Sequence, residues 1–207
     1  MTPTNMVQRV SDTQGRPAWL VSGHERVRDL LADPRLSRSH PNPGHPARLT
    51  QPGWFGGPIP DPEGELADLY RMRKLLTPSL SARRVERLRP RVVVAVIDRG
   101  MLLLLTHAEQ REALQRDPTL AASAVEEIFR FASPIERARA TRCGGLTRYA
   151  AADVKVDGVT IRTGDTVMFA VQEANEDESV FPDPTRFDIT REHIPHLSLS
   201  HGAHFCL

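Results

Sequence analysis

The hydrophobic period of this chain is helical in several stretches between residues 25 and 131 and alternating between residues 154 and 171, which limits it to a fold with helices and a sheet in separate stretches. Val27, Leu30 and Leu31 recur at helical spacing within Glu25 to Ala32, and Asp33-Pro34 stops the run. Leu66, Leu69, Met72, Leu75 and Leu76 form a second stripe within Glu65 to Leu80, with Arg71 and Lys74 opposite. Ahead of these, Val7 and Val10 and the apolar run Ala18 to Val21, bounded by Pro17 and Ser22-Gly23, predict a short opening sheet. Val154 to Ile161 alternates around Asp157-Gly158, a hairpin signature, and Thr166 to Val171 follows as a further strand. The fold class is therefore α+β, mainly helical with a small, largely antiparallel sheet.

Between these elements the residues 41–62 hold seven prolines and four glycines, so no regular element is expected there. Ser81 to Arg89 reads as a basic helix, with Arg84, Arg87 and Arg91 spaced to share a side. Val92 to Leu105 is the most apolar part of the chain, but Asp98-Arg99-Gly100 interrupts it and it is too short to span a bilayer, so a buried helix is expected. Ala108 to Leu114 and Ser123 to Phe131 read as two more helices, separated by Asp117-Pro118.

Charge excludes some partners. Lys plus Arg is 27 against 26 Asp plus Glu, a net charge of +1, so no global field calls for nucleic acid or an anionic membrane. A chain of 207 residues buries enough surface to fold without disulfides, and only Cys143 and Cys206 are present. The N-terminus lacks an apolar leader segment, and the expected compartment is a reducing cytoplasm.

The chemistry concentrates at the end of the chain. His193, His196, His201 and His204 fall within the last fifteen residues with Cys206, a metal-ligand composition. One reading is a zinc site built from the histidines and the thiolate. Another takes Cys206 alone as a thiolate on haem iron, in a Gly-containing loop whose backbone N–H groups point at the sulfur. A third is a histidine-bearing tail with no site. Upstream, Glu127 and Arg130 sit three apart on a helix and pair on one face.

Three segments add a second line of reading: AVEEIFRFASPI (124–135), FPDPTRFDITR (181–191) and HLSLSHGAHFCL (196–207). In this order they resemble the closing half of a bacterial cytochrome P-450, the haem-thiolate monooxygenase family. RPAWLVSGHERVRDLLADPRLSRSH (16–40) resembles the family's first strands and following helix, and RMRKLLTPSLSARRVERLRPRV (71–92) resembles its helix C. The resemblance implies haem as cofactor, with Cys206 as the axial thiolate and His204, Arg148 and Arg73 against the propionates. It implies a structural role for Glu127 with Arg130, locking the core together with Arg186. It further implies insertion of one atom of dioxygen into a small organic substrate, using electrons from a ferredoxin-type partner.

The departures from the family pattern are local and global. Leu199 and Ser200 stand where the family has an aromatic residue and a glycine, and Leu69 replaces a histidine that partners the helix C arginine. Residues 1–92 resemble the family's N-terminal sheet through helix C, and 101–207 resemble the end of the long central helix through the Cys loop. The whole therefore reads as a single-domain fragment, internally deleted, and shortened after Leu207. The expected loss includes the central helix, the substrate-covering helices and the acid/alcohol pair that handles protons. Two consequences are expected: impaired turnover or a non-catalytic remnant or scaffold, and self-association through apolar surface that the missing helices would have covered.

Overall fold

The computed structural model describes residues 6–12, 15–38, 40–42, 67, 70–71, 74, 94–131 and 146–205. Strands β1 (Val7–Ser11) and β2 (Pro17–Val21) form an antiparallel hairpin, with Val7 opposite Val21 and both fully buried. β2 then pairs in parallel with β7 (Thr166–Phe169), placing Trp19 against Val167. β7 pairs antiparallel with β4 (Leu146–Ala150), and β4 with the two-residue β3 (Leu36–Ser37). The result is one mixed five-stranded sheet in the order β1-β2-β7-β4-β3, largely antiparallel as expected. Val167, Met168 and Phe169 are consecutive and all buried, because β7 lies inside the sheet with both faces covered.

The hairpin signature forms as read. β5 (Val154–Val156) and β6 (Val159–Ile161) pair antiparallel around Asp157 and Gly158, whose φ angles of 48° and 75° are the left-handed pair such a turn requires. They make a separate two-stranded sheet rather than extending the first.

Helix α1 (His24–Ala32) buries Val27, Leu30 and Leu31 against the large sheet's core. Its entry needs a glycine: Gly23 has φ 81°, and a Cβ there would lie 2.8 Å from the Met6 sulfur. Gly23 offers no capping side chain, and Asp177 from the far end of the chain supplies one, accepting from the His24 amide at 2.8 Å.

A second layer is helical: α2 (Val94–Thr106), α3 (Ala108–Arg116), a tight turn Pro118–Leu120, and α4 (Ala121–Phe131). Leu103 and Leu104 pack on a core of Ala124, Ile128, Phe187 and Ile189. Gly100 lets α2 approach α4, since a Cβ there would stand 2.9 Å from the Ile128 side chain. The expectation that this apolar helix is buried is corrected: Met101, Leu102 and Leu105 are 50%, 60% and 59% exposed. Only one side of α2 has a packing partner among the described residues.

Three further elements were not legible. β3 and β4 carry no clear alternation, and the strand read through Val171 ends at Phe169, where the short helix α5 (Val171–Asn175) begins. In the stretch read as the second helical stripe, Ala67, Tyr70, Arg71 and Lys74 are helical. The basic stretch Ser81 to Arg89 and most of the Pro-rich stretch fall outside the described residues. No described helix is long and apolar enough to cross a membrane.

Candidate functional site: a buried ion-pair lock and the loop leading to Cys206

On α4 the i, i+3 spacing delivers Glu127 and Arg130 to the same buried face, and both side chains are 0% exposed. They pair in a fork: Arg130 Nε donates to Glu127 Oε2 at 2.7 Å and Nη2 to Oε1 at 2.8 Å. The remaining donors reach the carbonyls of Asn175 and Pro184 from Nη1, both at 2.9 Å, and of Arg186 from Nη2 at 3.2 Å. Every N–H of the guanidinium is thereby engaged. The Phe181 ring lies 5.1 Å from the guanidinium carbon and the Phe131 ring 5.6 Å, so the cation is also held by aromatic faces. Desolvating a charge pair is expensive, and complete hydrogen bonding is the condition under which it is tolerated.

The third arginine is corrected here. The Arg186 side chain is exposed, and its contribution to the lock is its backbone carbonyl. The guanidinium that meets Glu127 belongs to Arg191, with Nε 3.3 Å from Oε1. Arg191 also donates to the carbonyls of Pro182 at 2.7 Å and Asp183 at 2.9 Å. Both arginines flank the same turn, and only the path of residues 182–191 decides which one faces inward. The Asp188 amide completes the set, donating to Glu127 Oε1 at 3.0 Å.

Asn175 carries the lock onward. Its Oδ1 accepts from the Leu197 amide at 2.8 Å and its Nδ2 donates to Ser198 Oγ at 2.8 Å, while Ser198 Oγ donates to the Phe129 carbonyl at 2.6 Å. The last turn of α4 thus has one of its orphan carbonyls satisfied by the segment that runs toward Cys206. Asn175, Ser198 and Arg191 carried no signal in the sequence beyond being polar residues in a loop-rich stretch. A buried amide used at both ends is recognisable only once the chain is folded.

Beyond Ser198 the chain turns sharply. Ser200, 7% exposed, has φ 69°, and its amide donates to the Leu197 carbonyl at 2.9 Å. Gly202 has φ 68° and seats the loop on α1, where a Cβ would come within 2.7 Å of the Ala32 Cα. A tight turn, Gly202–His204, follows, and Phe205 is 46% exposed. The Ser200 hydroxyl oxygen is sealed from solvent and has no hydrogen-bond partner among the described residues. His204 contributes its backbone to the turn, while Cys206 and Arg73 fall outside the described residues.

Arg148 sits on β4, opposite Val167, and is 6% exposed, its Nη1 donating to the Thr147 carbonyl at 2.9 Å. His196 faces Glu126, with Nε2 2.9 Å from Oε2; burial pushes its pKa down, and the carboxylate opposes that shift without cancelling it. Among the described residues no three metal-ligating side chains gather, so the zinc reading gains nothing from His193, His196 and His201.

The arrangement of mixed sheet and helical layer is one that solved structures share. The substrate-free cytochrome P450 PimD, a polyene macrolide antibiotic pimaricin epoxidase, superposes with a TM-score of 0.73 at 24% identity, covering 97% of this chain and 82% of that one. SgvP, a putative thioether synthase of griseoviridin tailoring, gives 0.76 at 21% identity, covering 98% and 80%. The class is thus a cytochrome P450 fold. The Cytochrome P450 family model matches residues 106–193. Vitamin D(3) 25-hydroxylase of Pseudonocardia autotrophica is 45% identical over 114 residues, and 6-deoxyerythronolide B hydroxylase of Saccharopolyspora erythraea 44% identical over the same length. Over these residues the chain is similar to cytochrome P450s. The matched region is 55% of this chain but only 27% and 26% of those two relatives, so the chain spans about a quarter of their length at this level of similarity.

The family's cofactor is haem. The described residues fit it in one respect: Arg148 is a buried cation of the kind a carboxylate takes.

Proposed function

We propose that this chain is a haem-thiolate protein, its single domain spanning residues 1–207, with Cys206 as the axial ligand of the iron. Arg148, Arg73 and His204 hold the propionates, a cationic and hydrogen-bonding set suited to two carboxylates. When bound, the haem supplies activation of dioxygen, and the reaction of the class is insertion of one oxygen atom into a small organic substrate. A ferredoxin-type partner supplies the electrons, and the compartment is the cytoplasm. The observation that carries this reading is the lock at Arg130: two of its five guanidinium donors pair with Glu127 and the other three fasten the carbonyls of Asn175, Pro184 and Arg186 to α4, while Asn175 and Ser198 extend the fastening to the segment that leads to Cys206. The role of that fastening is to hold the ligand loop rigid, which a thiolate exposed to competing water needs.

A second reading, a non-catalytic remnant or scaffold, is favoured by one observation. Met101, Leu102 and Leu105 are exposed on α2, the stretch that resembles the end of the family's central helix. With only the end of that helix present, a bound haem would have less to exclude water and deliver protons, and turnover would be impaired.

One spectrum tests the first reading. Purified full-length chain loaded with hemin, reduced and exposed to carbon monoxide, is expected to show the displaced Soret band of a thiolate-ligated haem, and Cys206→Ala to lose it. A chain that stays colourless, with Cys206 still freely alkylated, overturns it. Peroxide-driven turnover of the loaded protein then separates an active oxygenase from a binding remnant without any redox partner.

A further inference from the structure

We propose that His196 is a pH-sensitive latch: its neutral ring fastens the segment running toward Cys206 to α4, and protonation of that ring loosens residues 196–205. The proposal goes beyond the haem-thiolate reading and holds whether or not that reading does. Two hydrogen bonds fix the protonation state of the ring. The Ser198 amide can only donate, so His196 Nδ1, 3.3 Å away, is an acceptor and carries no proton. A carboxylate oxygen accepts, so Nε2, 2.9 Å from Glu126 Oε2, carries the one proton of a neutral imidazole. The ring lies against Phe129, with centroids 5.7 Å apart, and the His196 side chain is only 4% exposed. One neutral ring thus joins α4, through Glu126 and Phe129, to the Ser198 amide of the loop.

A second proton has to go on Nδ1, where it points an N–H at the Ser198 N–H. The amide of Ser198, a residue 6% exposed, then loses its acceptor among the described residues, and a buried donor without a partner destabilises the closed arrangement. Ser198 is also the residue whose hydroxyl donates to the Phe129 carbonyl and accepts from Asn175, so a disturbance of its amide reaches the tie between α4 and the loop. The groups facing the ring act in both directions. Burial is the largest influence and lowers the His196 pKa, Glu126 raises it, Arg130 lowers it and Glu127 raises it, leaving it below the usual histidine value. From the α1 side His24 meets the same segment, donating from Nε2 to the Pro195 carbonyl at 2.7 Å. That bond survives protonation of His24, because Nε2 holds its hydrogen in both states. A base whose folded pKa is lowered stabilises the closed state above its unfolded pKa of about 6.5, and this stability is lost as the pH falls from there toward the folded value.

Hydrogen exchange of the full-length chain between about pH 7.5 and about pH 5, corrected for the intrinsic pH dependence of exchange, tests the latch. Protection of residues 196–205 is expected to fall about fivefold or more across that range, the loss of one buried hydrogen bond, while the paired strands β2 and β7 keep theirs. His196→Asn places a side-chain oxygen near the position of Nδ1, two residues ahead of the Ser198 amide, and no pH in this range protonates it. The fall in protection is expected to disappear in that variant. Glu126→Gln keeps an acceptor for Nε2 but removes the charge that favours the imidazolium, so the midpoint of the fall is expected to move to lower pH. The Glu126 side chain is 55% exposed, so the folded state is expected to survive this change. Residues 196–205 that stay protected down to about pH 5 overturn the proposal, and so does an equal fall in His196→Asn. A midpoint unmoved or raised in Glu126→Gln overturns it as well.

Discussion

Around Arg130 every guanidinium donor finds an acceptor, whereas three residues past Leu197 the Ser200 hydroxyl finds none among the described residues. Both centres are buried and polar, and they lie on one continuous path from α4 through Asn175 and Ser198. The first is finished by the chain itself: a carboxylate, two guanidiniums, three carbonyls and an amide close on each other. The second is sealed but leaves its hydroxyl unpaired among the described residues. Burial alone therefore does not mark a site in this molecule.

The contrast is broken most forcefully at Glu127. Glu127→Ala leaves the Arg130 charge buried and without its carboxylate, and is expected to cost about 3–5 kcal/mol, a large share of the roughly 5–15 kcal/mol that holds an ordinary domain folded. Urea denaturation followed by circular dichroism reads it, and a loss below about 1 kcal/mol would mean the lock is not the keystone described. Asn175→Ala comes next, at about 1–3 kcal/mol, since it strands the buried Leu197 amide. Limited proteolysis is expected to cut between residues 196 and 205 sooner in that variant than in the native chain, because the tie between lock and loop is gone.

The identity of the third arginine is sharpened by a pair of substitutions. Arg191→Ala is expected to lose about 1–2 kcal/mol, while Arg186→Ala stays within about 0.5 kcal/mol because alanine retains the carbonyl that Arg130 uses. Equal losses would restore Arg186 to the lock. The smallest effect is in acid. For Asp177 burial is the largest influence and raises the pKa, yet bonds from the His24 and Ser179 amides and the Ser179 hydroxyl outweigh it, leaving the group below the usual carboxylate range. Asp188 behaves alike, burial being outweighed by Thr190. Depressed carboxylates add stability above their unfolded pKa of about 4, and it is lost as pH falls through the lower folded values. Asp177→Asn is expected to flatten the acid limb of the stability–pH curve by less than about 1 kcal/mol.

Glu127 and Arg130 were legible because helical periodicity is local: residues three apart share a face wherever a helix forms. The Asp157-Gly158 turn was legible for the same reason, its left-handed pair being written in two adjacent residues. Arg186 was misassigned because a turn between prolines has no period, and nothing within 182–191 says which of two arginines points inward. β4 was missed because a strand covered on both faces does not alternate. The burial of α2 was overestimated because an apolar sequence reports what a helix is able to bury, not whether a neighbour is there.

By itself the amino-acid order determined which stretches are helix or hairpin, where Glu127 and Arg130 face each other, and which family the motifs resemble, all consequences of spacing along the backbone. Only the tertiary structure decided that Arg191 meets Glu127, that Asn175 joins the lock to the loop, and that Ser200 is sealed without a partner among the described residues. These depend on segments tens of residues apart meeting at hydrogen-bond distance, and the free energy that selects them comes from burying charge and amide groups that no local pattern encodes.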